Sequence, residues 1–256
     1  MGGSTLDREA GAYGEMLAVS VGGDRSDRII GISNDGVARI WTDTTSPPIT
    51  LREGHRFLTQ SAVFSKNFMV TVSFDGTAAV WDTESGSMIE RWRDIGTTGV
   101  LACSFDGSQA ITGYATDQKA KGSQNLQIWR LNETAAHAPE GAKRTIVTVG
   151  KEVKHEGKVV ADAPSAVAIS ANGSWAVAGT ENGFLNLIDL RKLELHDTVD
   201  AHIGSLNPDA AAPEGVTGVA FLSDADLASS GLDGKLRFWT IRDGKLQPHP
   251  TRPTYN

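Results

Sequence analysis

The chain has 256 residues, 24 of them Lys or Arg and 31 Asp or Glu, for a formal net charge of −7. An acidic surface repels phosphate backbones, which argues against non-specific nucleic-acid binding. No apolar run approaches the roughly 20 residues that cross a bilayer, so no membrane span is expected. The single Cys103 excludes an internal disulfide and is compatible with a reducing compartment. No charged opening followed by an apolar stretch marks a secretory signal, and a cytoplasmic location is the expectation.

After an N-terminal segment, 1–13, with little β character, the chain repeats one pattern five times. The first unit, about 14–53, has a strand at 28–33, the turn Asn34-Asp35-Gly36, a strand ending at Trp41 and a weaker strand at 49–52. The second, about 54–93, has an apolar run at 62–65, a strand at 68–73, the turn Phe74-Asp75-Gly76, a strand ending at Trp81 and another at 87–92. The third, about 94–150, runs from 101–107 through a strand at 109–114 and a degenerate turn at 122–124 to Trp129, then 145–149. The fourth, about 160–200, has 167–173, a strand at 175–180, the turn Glu181-Asn182-Gly183, a strand at 184–190 with Ile188 in the Trp position, and 195–199. The fifth, about 212–247, has 219–221, a strand at 226–231, the turn Leu232-Asp233-Gly234 and a strand at 235–241 containing Trp239. A tail, 248–256, carries Pro248, Pro250 and Pro253.

Each copy makes sense as a tight hairpin. Asp-Gly and Asn-Gly supply the positive-φ residues that a two-residue turn demands, and the flanking runs are rich in β-branched and aromatic residues. The end positions 41, 81, 129, 188 and 239 lie 40, 48, 59 and 51 apart. A repeat of about 40–50 residues with four strands per copy is the signature of a propeller array.

These residues resemble the WD-repeat (WD40-type) β-propeller family over roughly 14–247, in diverged form. The second unit matches best, with Gly54-His55, Phe64-Ser65, Ser73-Phe74-Asp75-Gly76 and Trp81-Asp82. In that family a His, a Ser, an Asp and a Trp form a hydrogen-bonded chain, and the resemblance carries these roles to His55, Ser73, Asp75 and Trp81. In the fifth unit it carries them to His202, Asp233 and Trp239, with Gly231 where the Ser belongs. Trp92, on an outer fourth strand, is expected to tolerate truncation far better than Trp81.

The fold expected is therefore all-β, a propeller of five WD-like four-stranded blades. The fifth unit shows no convincing closing strand, because Pro cannot donate to a ladder. An uncovered blade face or strand edge is seldom left exposed. An incomplete or open array completed from outside is one expectation, through self-association, a strand inserted by a partner, or further blades outside residues 14–247. A closed five-blade ring is the other.

Relative to the 40-residue minimum, the spacings exceed it by 8, 19 and 11, and the surplus falls at 115–123, at 132–142 with 150–163, and at 201–214. In the family, turns joining the second and third strands share one rim, the top, with the loops joining successive blades. All but 132–142 then lie on the top, and insertions gathered on one face of a repeat protein commonly mark its binding face. The residues preceding each turn Asp or Asn, namely Asn34, Phe74, Glu181 and Leu232, are the candidate partner-binding set, with Phe74 and Leu232 as apolar anchors.

Motifs for catalysis are lacking. His155-Glu156 in the basic stretch 151–158 lacks ligand spacing, and no metal site, cofactor motif, phosphate-binding Gly loop or Ser-His-Asp pattern is legible. The expected function is a non-catalytic scaffold or sensor that binds a protein partner or peptide through the top rim. The alternative is a hydrolase or small-ligand-binding propeller with its site in the central channel.

Overall fold

Glycine at the Asp-Gly turns does what its missing Cβ permits. Gly76 and Gly234 adopt φ of 75° and 73°, a region open to glycine at no steric cost, and each reverses the chain between antiparallel strands. The computed structural model describes residues 16–22, 28–33, 37–43, 45–51, 55, 59–64, 68–73, 75–93, 95, 100–104, 106, 108–114, 125–130, 143–149, 153–155, 158–160, 162–203 and 215–255. Among these the regular structure is all β, in five four-stranded antiparallel sheets and one two-stranded hairpin. They divide between two compact units, one holding the sheets within 1–99 and the other those within 100–131 and 142–256.

In the first unit, sheet one is β1 (Met16–Gly22), β2 (Arg28–Ser33), β3 (Ala38–Trp41) and β4 (Ile49–Leu51). Sheet two is β5 (Thr59–Phe64), β6 (Phe68–Ser73), β7 (Ala78–Asp82) and β8 (Met88–Trp92). Each sheet is a simple meander. Ile30, Ile32, Ala38, Ile40 and Leu51 of sheet one share a core with Ala62, Met69, Ala79 and Trp81 of sheet two.

In the second unit, sheet three is β9 (Leu101–Cys103), β10 (Gln109–Tyr114), β11 (Asn125–Arg130) and β12 (Lys143–Thr148). The hairpin β13 (Val153–His155) and β14 (Lys158–Val160) follows, so part of the stretch read as a charged loop is paired strand. Sheet four is β15 (Pro164–Ile169), β16 (Trp175–Thr180), β17 (Phe184–Asp189) and β18 (Glu194–Asp200). Sheet five is β19 (Val216–Phe221), β20 (Asp226–Gly231), β21 (Leu236–Arg242) and β22 (Lys245–Pro248).

Sheet four shows why its strands read as continuous apolar runs. Side chains alternate across a strand, and here both faces are buried. Ala176, Ala178 and Ile188 pack with Ile111, Leu126 and Ile128 of sheet three, while Val177, Leu185 and Leu187 pack with Val216, Leu227 and Trp239 of sheet five. Ile188 fills its place as a Trp does elsewhere, without the indole N–H.

Two expectations need correction. The fifth sheet does have a fourth strand: β22 pairs with β21 from Trp239↔Pro248 to Arg242↔Lys245, turned by Asp243 and Gly244 at positive φ. Pro248 occupies the last register position, and the next donor is His249, whose N–H reaches the Phe238 carbonyl at 2.9 Å. The tail then returns to the same strand, where Leu236 and Tyr255 exchange both backbone bonds at 2.8 and 2.9 Å. Trp92 is buried, at 3 % exposure, because its register position opposite Ala78 faces the interior. It is not a tolerant surface residue.

Candidate functional site

The polar chains beneath the turns come first, because they hold the turns in place. In sheet two the Trp81 Nε1–H donates to Thr71 Oγ1 at 2.8 Å, and His55 Nε2 lies 2.7 Å from the same hydroxyl. His55 Nδ1 lies 3.1 Å from Thr77 Oγ1, which in turn donates to Asp75 Oδ1 at 2.6 Å. Since Thr77 gives its proton to Asp75, it accepts from His55 Nδ1–H, and His55 Nε2 accepts from Thr71. The hydroxyl in this chain is Thr71, not Ser73; Ser73 Oγ instead accepts from the Asp75 backbone N–H at 3.2 Å.

Sheet five uses the same offset. Trp239 Nε1–H donates to Ser229 Oγ at 2.9 Å, His202 Nε2 lies 2.8 Å from that oxygen, and His202 Nδ1 lies 2.9 Å from Asp233 Oδ1. Gly231, where a Ser was sought, has to stay small. A Cβ there would lie 2.3 Å from His202 Nδ1 and 2.4 Å from its Cγ. Arg237 Nη1 lies 2.5 Å from Asp233 Oδ2. Burial of Asp233 works against its ionisation, but the hydrogen bonds from His202, Arg237 and the Lys235 N–H prevail and hold the carboxyl at about 2.

The other sheets fill this position differently. In sheet three Trp129 Nε1–H donates to Thr112 Oγ1 at 3.0 Å. In sheet four Asn186 donates to the Ala178 carbonyl at 3.3 Å and accepts from Thr198 Oγ1 at 3.0 Å. In sheet one the buried Arg39 donates to Ser33 Oγ at 2.9 Å.

Ser229, His202 and Asp233 together have the geometry of a hydrolytic triad, which sequence spacing did not reveal. Two observations make it a clamp instead of a catalyst. Ser229 is 1 % and His202 0 % exposed, and Ser229 Oγ is already taken on one side by the Trp239 indole and on the other by His202. No carbonyl can approach it. Burial also pushes the Cys103 thiol well up, away from nucleophilic thiolate character. Among the described residues, no group of three or more His, Cys, Asp or Glu is placed to hold a metal ion. No helix of the described residues is long and apolar enough to cross a membrane.

Above the clamps the turns are stapled to the segments that link successive sheets. The Ile95 N–H donates to the Gly76 carbonyl at 3.2 Å, and the Ala201 and His202 N–H groups donate to the Gly183 carbonyl at 3.0 and 2.8 Å. The Glu181 N–H donates to the Ala163 carbonyl at 2.8 Å, and the Asn182 N–H to the buried Asp162 Oδ1 at 3.0 Å. One turn later, the Leu232 N–H donates to the Gly215 carbonyl at 2.9 Å. Gly215 itself rests on the neighbouring turn, since a Cβ on it would lie 2.5 Å from the Glu181 carbonyl oxygen. Glu181 and Leu232, chosen from sequence separately, thus lie on adjacent turns joined through Gly215. Both are exposed, Leu232 by 62 %.

Asn34 and Phe74 lie outside the described residues, as do the side chain of His155 and the insertions 115–123 and 204–214. The Gly215 link was the feature that sequence reading missed. A lone Gly before an apolar strand gives no sign of what it rests against.

The profile of the WD domain, G-beta repeat, matches residues 197–240. That span runs from within β18 into β21 and contains the whole His202–Asp233–Ser229–Trp239 chain, so the fifth repeat is the matched one and not the second, whose residues carry the fuller motif. Subunit I of eukaryotic translation initiation factor 3 from Debaryomyces hansenii is 23 % identical over 178 residues, covering 69 % of this chain and 48 % of that protein. Pre-mRNA-processing factor 19 homolog 2 of Arabidopsis thaliana is 27 % identical over 197 residues, covering 75 % of this chain and 33 % of that protein. The chain spans about half the length of the initiation-factor relatives it matches. Among solved structures, the β-propeller domain of Cps50 (Swd1) from Myceliophteria thermophila superposes with a TM-score of 0.68 at 18 % identity, covering 90 % of this chain and 67 % of that one. The WD40 repeats of RRP9 superpose with a TM-score of 0.69 at 15 % identity, covering 92 % and 65 %. Residues 197–240 thus match a WD repeat, and the sheet order and structural neighbours give the chain the fold of the WD-repeat β-propellers.

Proposed function

We propose that this chain is a non-catalytic interaction module, a scaffold or sensor that takes a protein partner or peptide on its top rim through Asn34, Phe74, Glu181 and Leu232. The observation that carries this reading is Leu232: a large apolar side chain, 62 % exposed, on a turn held by a backbone bond to Gly215. A rigidly presented apolar side chain among polar turn residues has the character of an interface anchor, because little ordering entropy is lost when a partner covers it. Glu181, one turn away across Gly215, adds a carboxylate beside it. The initiation-factor relatives are by name subunits of a larger factor, in keeping with a module that works by docking. The same reading places the protein in the cytoplasm, without cofactor, and includes completion of its array by self-association or by a partner's strand.

The test is affinity capture with the wild-type chain, Leu232→Ala, the double variant Phe74→Ala with Leu232→Ala, and Lys192→Glu. Lys192 is 61 % exposed in the turn between β17 and β18, at the opposite end of those strands. A partner lost with the rim variants and kept by Lys192→Glu supports the reading, provided thermal midpoints are unchanged. A partner retained by the double variant refutes it.

A further inference from the structure

The turn between the third and fourth strands is built the same way in sheets one, two and four. An Asp accepts, on one carboxylate oxygen, the N–H groups of the residues two and three places on. Asp43 takes those of Thr45 and Ser46, both at 2.6 Å. Asp82 takes those of Glu84 and Ser85 at 3.0 and 2.7 Å, and Asp189 those of Arg191 and Lys192 at 2.9 and 3.2 Å. In sheets two and four the next residue closes the turn. Gly86 and Leu193 take positive φ, 69° and 61°, and donate their N–H to the carbonyl of the turn Asp at 3.0 and 2.7 Å. Sheet one has Pro47 in that place. Its ring fixes φ near about −65° and leaves no N–H to donate, so the closing conformation and the closing bond are both denied to it.

A departure from a local rule that sister positions keep is characteristic of functional sites. What Pro47 provides is a context for Ser46. Of the nine prolines in the chain it is the only one preceded by a hydroxyl residue. Ser46 and Pro47 are both exposed, and they lie between the end of β3 at Trp41 and the start of β4 at Ile49, outside the ladder. Proline biases the residue before it toward extended backbone, the form in which a kinase cleft takes its substrate. Opening the turn locally releases the bonds to the exposed Asp43 and leaves the strand pairing intact. Ser85 is a built-in comparison. It is equally exposed, and its N–H and hydroxyl bond Asp82 at 2.7 and 2.8 Å, but Gly86 follows it.

We propose that Ser46 is a phosphorylation site for a proline-directed serine/threonine kinase. Ser46 Oγ attacks the γ-phosphorus of ATP, the bond from that phosphorus to the bridging oxygen breaks, ADP leaves and the hydroxyl proton is released. The product carries a charge of about −1.5 to −2, next to the carboxylate on which the Ser46 N–H rests. In the unmodified chain the hydroxyl and N–H of Ser46, with those of Thr45, hold the Asp43 carboxyl well below the usual carboxylate range. Phosphorylation removes the hydroxyl donor and adds a like charge, and so opens the Asp43 turn. The site lies at the opposite end of β3 from the turn at 34–36 and involves neither Glu181 nor Leu232, so it stands or falls apart from the rim.

The experiment incubates the full, folded chain with a purified proline-directed kinase, magnesium and ATP, and locates phosphate by tandem mass spectrometry. Phosphate is expected on Ser46 and not on Ser85. Pro47→Gly, which gives this turn the residue that sheet two carries, should cut the rate at Ser46 to the level of Ser85; Pro47→Ala is the second variant should Pro47→Gly shift the thermal midpoint. Phosphorylation should then lower the midpoint of the wild-type chain more than that of Asp43→Asn, where the like charge is gone. A wild-type chain left unmodified, phosphate on Ser85 at a rate matching Ser46, or a Pro47→Gly rate equal to wild type would overturn the site. Equal midpoint shifts in the wild type and Asp43→Asn would overturn the opening of the turn.

Discussion

Replacing Ser229 by Ala tests the buried chain of sheet five most directly. The Ser229 hydroxyl accepts from Trp239 Nε1–H at 2.9 Å and lies 2.8 Å from His202 Nε2, in a setting where Trp239 is 6 %, His202 0 % and Ser229 1 % exposed. The methyl that replaces it fills nearly the same space, so little cavity forms and the cost is almost wholly polar. Two buried groups lose their partner at about 1–3 kcal/mol each. Because both losses come from one oxygen they are less than additive, and the variant should be destabilised by about 2–4 kcal/mol. At roughly 2–4 °C per kcal/mol for a domain of this size, the thermal midpoint should fall by roughly 5–15 °C. The control is Ser230→Ala, one residue along on the opposite face, where the hydroxyl bonds only to the exposed Thr217 hydroxyl and about 0.5 kcal/mol or less is at stake. Differential scanning calorimetry of the two variants decides the matter. Equal shifts for Ser229→Ala and Ser230→Ala would refute the chain as a stabilising device.

Gly231→Ser, which would install the hydroxyl where family resemblance seeks it, should destabilise instead, because its Cβ would overlap the buried His202 ring; a midpoint equal to wild type in chemical denaturation would contradict the packing. Trp81→Ala and Trp92→Ala should both be severely destabilising, about 3–5 kcal/mol each for a buried Trp, and a Trp92→Ala variant as stable as wild type in urea would show that residue to be outside the core. The pH dependence has two limbs. Asp233 keeps its charge in the folded state down to about 2, whereas an unfolded Asp takes a proton near 3.8, so its contribution is present above about 4 and is lost as the pH falls through that window; Asp233→Asn should flatten that limb of the urea midpoint against pH. His55 has its pKa lowered from 6.5, chiefly by burial, which outweighs the raising effect of Asp75. The unfolded chain therefore binds the proton first, and stability should also decline as the pH drops below 6.5, an effect that His55→Gln removes.

Most of the strand plan is local physics, and for that reason it was legible in the residues. Asp-Gly and Asn-Gly can turn a two-residue hairpin almost alone, so the strands 28–33, 68–73, 175–180 and 226–231 were located to the residue, and the repeat pattern located 109–114. The repeat spacing then implied four strands per unit and the family. Other features depended on what lies across space. Thr71 and Ser73 are two apart and share a face, as do Ser229 and Gly231, so period-two patterning cannot choose between them. The choice was made by the His rings: His55 bonds Thr71, and His202 bonds Ser229 while lying against Gly231. Trp92 read as peripheral because fourth strands are outermost, but its opposition to Ala78 turned it inward. The strand at Lys245–Pro248 was hidden by its prolines, whose missing N–H matters only if it faces the partner strand, and it is the neighbouring His249 N–H that does so. The rim showed the same division: turn chemistry marked Glu181 and Leu232 as tips, while the close approach of Gly215 to the Glu181 carbonyl, a contact between segments far apart in the chain, made them neighbours.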